Sequence, residues 1–414
     1  MRFRFAYGSH PDWSVATDEC LLMLSRYAGD ERYARQANLG FLYLTDALAP
    51  HAEQILATLK ARTAIPSWVG CTGVGICATG VEFFEEPALA VMLGSFAPGT
   101  FNVFSGTQRP PTLGTRTDAG ADAAYTALVH ADPATPDLPD LLVDMARKVT
   151  SGYLFGGIGS ARGQTLQIAD RVLSGGLSGV VFASDVKLVS RVSQGVHPLP
   201  AAQRRRVTRA ADNLILELDG RRAFDVLLED AGIRQRAPLA LGAGPMREDF
   251  AKVRSRLQAL GRQGLFVGIE PASGDGYRER TRAGALRADY MVRHVVALDP
   301  AQGAVAIAAP VEEGLVLSFC TRDEPAARKD LIRICAEIRD HLHEQRETGG
   351  SAEARGAVYV SCLGRSGHMF GEAGEEPRLI QRQLGDVPLV GFYANGEIGG
   401  RNLYGFTGVL TVFY

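Results

Sequence analysis

The chain carries almost no net charge. Its 44 Lys and Arg stand against 46 Asp and Glu, leaving −2. That balance supplies no bulk attraction to nucleic acid or to an anionic membrane. The one basic run, Arg204, Arg205, Arg206 and Arg209, has no interleaved aromatic residues to stack on bases, so it reads as a solvated helix start. No apolar run approaches the ~20 residues of a membrane span. The opening MRFRFAYGSHPDW lacks the apolar stretch of a signal peptide, and a cytoplasmic protein is expected. Cys20, Cys71, Cys77, Cys320, Cys335 and Cys362 form no CxxC pair and no zinc-ligand spacing. They read as buried thiols of a reducing compartment.

What is present is a globular composition, 46% hydrophobic and 22% charged, on 414 residues, enough for two or three domains. The pattern begins with a short strand over Phe3–Tyr7, then a helix with Cys20, Met23, Leu24 and Tyr27 on one face. One theme then recurs three times. Leu39–Leu44 is an apolar run; Ala52, Ile55, Leu56 and Leu59 follow at helical spacing; Pro66–Gly70 leads into the glycine loop Cys71–Gly75. Ala124–His130, a helix marked by Leu138, Leu141, Leu142, Met145 and Val149, and Tyr153–Gly156 lead into Gly157-Ile158-Gly159. Val358–Cys362, a helix marked by Leu379, Ile380 and Leu384, and Val387–Tyr393 lead into Asn395-Gly396-Glu397. Val69-Gly70, Phe155-Gly156 and Val390-Gly391 align, which predicts an internal repeat of strand, helix, strand and glycine loop. A crossover of this kind is right-handed and places both loops at the carboxyl ends of neighbouring parallel strands, where ligands of open α/β sheets bind.

Between the copies, Ala88–Phe96, Ser178–Val192, Met291–Leu298, Ala304–Ala308 and Leu315–Phe319 read as antiparallel hairpin strands. Phe250, Val253 and Leu257 mark a helix and Leu265–Ile269 a strand. Arg221–Asp230 reads as a helix joining two halves, and Gly405–Tyr414 as a closing strand. The expected fold class is mixed α/β/α in two related parts, residues 1–222 and 223–414.

The residues resemble a known family, the FIST sensory domain with its N-terminal and C-terminal parts. Ser361-Cys362-Leu363-Gly364-Arg365, a later glutamate pair, Gly391-Phe392-Tyr393-Ala394-Asn395-Gly396-Glu397-Ile398 and Thr411 are similar to the C-terminal part. Val69-Gly70-Cys71-Thr72, Gly156-Gly157 and Gly195-Val196-His197-Pro198-Leu199 are similar to the N-terminal part. The resemblance implies a bacterial signal-input module that binds a small ligand, an amino acid or related metabolite. It further implies an output partner in trans, such as a histidine kinase, a cyclic-dinucleotide enzyme or a chemoreceptor, because no output domain is recognisable. Some relatives are similar to haem-binding nitric-oxide sensors, which makes haem the alternative cofactor.

Arg365 and Glu397 lie on the two loops of one βαβ unit. A guanidinium grips a carboxylate bidentately and a carboxylate accepts from an ammonium group, so together they suit an amino acid zwitterion. The other reading is an internal ion pair between them. Ser361, Cys362, Gly364, Phe392, Tyr393, Asn395 and Gly396 complete the expected pocket, with Gly70, Cys71, Gly156 and Gly157 as counterparts in the N-terminal part. Cys362 with His368 as base would make a nucleophile, although no third orienting group stands out. Gly157-Ile158-Gly159 with Gly163 departs from GxGxxG, and Gly242-Ala243-Gly244-Pro245 does no better, so neither reads as a phosphate loop. His197, His294 and His368 are the candidate axial ligands of the haem alternative; no CxxCH exists for covalent attachment. No metal site is expected.

Overall fold

Three parallel strand pairs, each bridged by a helix, organise the computed structural model, which describes residues 1–26, 37–106, 124–233, 255–258, 260–261, 264–270, 291–349, 352–366 and 369–414. Tyr27, Phe250, Val253, the Gly242–Pro245 run and His368 lie outside the described residues. The chain divides into two compact units, Met1–Gln194 with Arg328–Tyr414, and Gly195–Ala327.

In the first unit β1 (Arg2–Ser9) precedes α1 (Trp13–Ser25), which Asp12 caps by accepting from the Ser14 N–H at 2.8 Å. Then come β2 (Leu39–Thr45), α2 (Ala52–Thr63), β3 (Ser67–Gly73), the hairpin β4 (Gly75–Ala78) and β5 (Val81–Phe84), and β6 (Ala88–Ser95). Ile55, Leu56 and Leu59, at helical spacing, are the buried face of α2. Next are β7 (Phe101–Gly106), β8 (Thr126–Ala131), α3 (Leu138–Lys148), β9 (Tyr153–Ile158), the hairpin β10 (Gln167–Ala169) and β11 (Val172–Leu173), β12 (Leu177–Phe182) and β13 (Leu188–Ser193).

The second unit contains β14 (Val196–Pro198), β15 (Arg205–Ala211), β16 (Leu214–Leu218), β17 (Arg221–Arg222), α4 (Ala223–Asp230), β18 (Leu265–Ile269), β19 (Met291–Asp299), β20 (Ala304–Ile307) and β21 (Val316–Arg322). β21, β15, β16, β20, β19 and β18 pair in that order, and β18 pairs back to β21, so an antiparallel sheet closes on itself. Val207, Ile215, Val267, Val305 and Phe319 fill its interior beside Val226 and Leu227 of α4. The arginine run is here β15, not a helix start, and its charges are paired: Arg204 with Glu270, Arg205 with Asp230 and Arg209 with Glu217. α4 lies inside this unit.

The chain returns to the first unit within α5 (Glu324–Glu347), then forms β22 (Gly356–Cys362), α6 (Glu375–Leu384), β23 (Leu389–Ala394), the hairpin β24 (Glu397–Gly400) and β25 (Asn402–Tyr404), and β26 (Gly408–Phe413). The three six-stranded sheets of this unit share one pattern: β1-β6-β2-β3-β10-β11, β7-β12-β8-β9-β24-β25 and β13-β26-β22-β23-β4-β5. Each has a central parallel pair, and the hairpin that follows each pair joins a different sheet: β4 pairs β23, β10 pairs β3, and β24 pairs β9. The inner faces share one core, with Phe41 and Tyr43 of the first sheet, Leu128, Phe155 and Phe182 of the second, and Val360, Phe392 and Phe413 of the third. α1 and α2 cover the outer face of the first sheet and α3 that of the second. The parallel strands, covered on both faces, are buried along almost their whole length.

Two expectations change. Ser178–Val192 is no hairpin: β12 and β13 enter different sheets. The glycine loops Cys71–Gly75 and Gly157–Gly159 are mostly strand, because β3 runs to Gly73, β4 resumes at Gly75 and β9 runs to Ile158. The hydrogen bonds that a loop would leave open are supplied by the partner sheet.

Candidate functional site

The three aligned glycines are required by the strands themselves. In the parallel pairs Gly70 faces Leu42, Gly156 faces Val129 and Gly391 faces Tyr359. A Cβ at each would stand 1.7, 2.0 and 1.7 Å from the carbonyl oxygen of that partner. Only a residue without a side chain permits this approach. One residue further, Cys71, Gly157 and Phe392 are buried in the shared core region, and a Cβ on Gly157 would press on Val360 and Ala394 of the third sheet.

Beyond these positions the three strand ends bond to one another. Ser160 accepts from the Val74 N–H at 3.1 Å and donates to the Tyr393 carbonyl. The Asn395 N–H donates to Ile158 O, the Ile158 N–H donates to Gly396 O, and the Asn395 side chain reaches Gly159 O. Asn395 and Gly396 are thus a link between two sheets, and the mouth expected from two loops is a three-way junction.

Arg365 ends a single 3₁₀ turn after β22 and its side chain is fully buried. It does not pair with Glu397. Its Nε and Nη2 donate to one oxygen of Glu376, at 3.1 and 2.9 Å, and its Nη1 and Nη2 reach Ser193 O and Oγ, both at 3.3 Å. Its guanidinium carbon lies 5.2 Å from the Phe370 ring centre. Glu376 sits in the first turn of α6, where the helix dipole favours an acid, and also accepts from Tyr359 Oη at 2.6 Å and Ser361 Oγ at 2.9 Å. It donates to none of these partners, the pattern of an ionised carboxylate. Burial pushes Glu376 upward, opposed by the Arg365 charge and these donors. Burial works against the charge on Arg365, but Tyr359 and Glu376 outweigh it.

Glu397 begins β24, opposite Gly157, and is fully buried. Its Oε2 accepts from the Thr407 N–H at 3.0 Å and from Thr407 Oγ1 at 2.8 Å. Its Oε1 has no hydrogen-bond partner in geometry among the described residues, although the Cys362 thiol lies beside the carboxyl. Burial raises Glu397 to about 8, against the bonds from Thr407 and the charge of Arg365, so at neutral pH it is mostly a neutral acid. The same burial, with Glu397 next to it, pushes Cys362 up to about 12. A thiol so raised is a poor nucleophile, and all six cysteines are buried.

The remaining expected residues scatter. Gly364 packs where a Cβ would strike Phe406. Tyr393 is buried and donates to Glu82, and Phe392 stacks on Tyr43 at 5.3 Å. His197 belongs to the second unit, with Nδ1 at 3.1 Å from Pro198 O and Nε2 at 3.1 Å from Asp323. Both nitrogens are engaged, so it does not fit an axial ligand without giving one up. His294, also in the second unit, packs edge-on against Phe266 at 5.3 Å, and burial with the Arg322 charge lowers it. No group of three or more His, Cys, Asp or Glu suited to a metal occurs among the described residues. Sequence reasoning missed Tyr359, Ser193 and Thr407 as partners, and met Glu376 only as half of a glutamate pair. The available signal was a charged residue in the first turn of a helix facing a buried strand.

Two family models match the chain: the FIST N domain over residues 38–221 and the FIST C domain over residues 246–400. An uncharacterized protein of Mycobacterium tuberculosis is 30% identical over 423 residues, covering 100% of both chains. An uncharacterized protein of Mycobacterium bovis is 30% identical over 397 residues, covering 93% of each. No helix among the described residues is long and apolar enough to cross a membrane. With both parts of the model matched and a relative aligned from end to end, this chain belongs to the FIST family, whose domains are associated with sensing in signal transduction.

Proposed function

We propose that this FIST protein is a small-ligand-binding sensory protein whose ligand is an amino acid or related metabolite, and that it signals to an output partner in trans. The reading takes residues 1–222 and 223–414 as the two family parts, and the three sheets as copies of one unit. The proposed ligand site is at the strand-end junction and draws on Ser361, Cys362, Gly364, Arg365, Phe392, Tyr393, Asn395, Gly396 and Glu397, with Gly70, Cys71, Gly156 and Gly157 as their counterparts in the N-terminal part. The observation that carries the reading is Glu397: a buried carboxyl held above neutrality with one oxygen unpartnered, at the carboxyl edge of parallel strands.

An ammonium group brought to Glu397 ionises it, since the cation stabilises the carboxylate. A ligand carboxylate reaches Arg365 by taking the place of Glu376. That exchange frees the first turn of α6, and the freed turn is the conformational signal.

The test is isothermal titration of an amino acid panel in two buffers of different ionisation enthalpy. With Glu397 near 8, binding of an ammonium at pH 7 expels about 0.9 proton per ligand. Glu397→Gln should abolish that release and weaken binding. Binding without proton release, or unaltered in the variant, sinks the site. A cysteine-dependent activity has no support from the raised thiol of Cys362, and the haem alternative none from His197 or His294.

A further inference from the structure

A second buried polar group lies in the first unit, away from Arg365 and Glu376. Tyr43, Cys71 and Gln167 are neighbours in register across β2, β3 and β10 of one sheet. His130 and Ser178 face each other across β8 and β12 of another. All five are fully buried. The Tyr43 hydroxyl and His130 Nε2 are 3.1 Å apart and join the two sheets. Gln167 Nε2 donates to Gly176 O at 3.1 Å, which carries its amide to the end of the strand that holds Ser178. On the third side Phe392 packs on both rings, 5.3 Å from Tyr43 and 5.7 Å from His130, and contributes nothing polar.

Three atoms of this group, His130 Nδ1, Gln167 Oε1 and Ser178 Oγ, have no hydrogen-bond partner among the described residues. Buried polar side-chain atoms are nearly always satisfied, by protein or by ordered water. We propose that a water molecule is bound between His130, Gln167 and Ser178, bridging the first and second sheets inside the core. The chemistry of the three atoms selects the occupant. Gln167 Oε1 only accepts, so the occupant donates to it, which a chloride cannot do. His130 is neutral, because burial lowers it to about 3, and it holds one donor and one acceptor nitrogen. In the tautomer that lets the Tyr43 hydroxyl donate to Nε2, Nδ1–H needs an acceptor, which an ammonium ion is not; in the other, Nδ1 accepts, and water serves there too. Water meets both demands, and Ser178 can donate or accept as the other two require. The proposal is independent of the ligand site at Glu397.

A high-resolution crystal structure of the full chain tests it. The expected result is one density peak within hydrogen-bond distance of at least two of the three atoms. Absence of the peak, or direct bonds among the three side chains, overturns it. Water-oxygen magnetic relaxation dispersion supplies a second readout in solution. The Gln167→Leu/Ser178→Ala double variant should lose one long-lived water relative to wild type, and an equal count in the two proteins counts against the proposal.

Discussion

Replacing Arg365 with leucine removes a cation whose side chain is fully buried and leaves the Glu376 carboxylate behind it, also buried. Glu376 keeps Tyr359 and Ser361 but loses both bonds from the guanidinium, and Ser193 loses its partner as well. Breaking a buried pair on one side costs about 3–5 kcal/mol, because the remaining charge stays desolvated and uncompensated. At roughly 2 °C per kcal/mol for a unit of this size, the unfolding midpoint should fall by about 6–10 °C. Removing both charges in Arg365→Leu/Glu376→Leu should recover part of the loss, since no charge is then left unpaired. The exposed Arg62–Asp18 pair is the control: Arg62→Ala should move the midpoint little, because surface pairs are screened. The assay is calorimetry on the four proteins at pH 7. A midpoint for Arg365→Leu within about 2 °C of wild type, or a double variant less stable than Arg365→Leu, would refute the buried-pair account.

Glu397 should impose a pH dependence. Its folded pKa, about 8, lies above the unfolded value, so its neutral form is fully compatible with the fold at low pH. The stability it permits is lost as pH rises from the unfolded pKa through 8, at up to about 1.4 kcal/mol per pH unit. The midpoint of Glu397→Gln relative to wild type should therefore climb between pH 5 and 8 and level off above, and a flat difference contradicts the burial argument. Gly70→Ala, Gly156→Ala and Gly391→Ala each force a Cβ against a carbonyl oxygen, and each should prevent folding or cost more than about 3 kcal/mol. Soluble variants with wild-type melting curves would show that the strands can part at no cost. Thiol titration of the native protein should label Cys362 far more slowly than free cysteine, and full labelling should require denaturant. Rapid labelling of Cys362 would revive a nucleophilic role.

Much of the architecture is legible in the amino-acid sequence. Apolar runs of five or six residues followed by helical spacing of Ile55, Leu56 and Leu59, or of Leu379 and Ile380, mark parallel pairs because a covered strand is apolar on both faces and its crossover helix on one. Gly70, Gly156 and Gly391 stood out in the sequence, and their reason is close strand approach within each pair, a local property of the chain. The family motif at Ser361–Arg365 and Gly391–Glu397 was equally readable. What remained hidden is everything that depends on long-range pairing. No local pattern announces that Gly75–Ala78 will pair with Val390–Phe392, or that Glu397 will leave its own sheet for Gly157. Each hairpin satisfies its backbone on a distant strand, and alternation of side chains reads the same whichever strand is chosen. The site follows the same division. That Arg365 and Glu397 are special could be read from the sequence; that Arg365 is held by Glu376, and that Glu397 is neutral and half-satisfied, was decided by desolvation. Desolvation is set by which surfaces close over a residue, and that is a property of the assembled sheets alone.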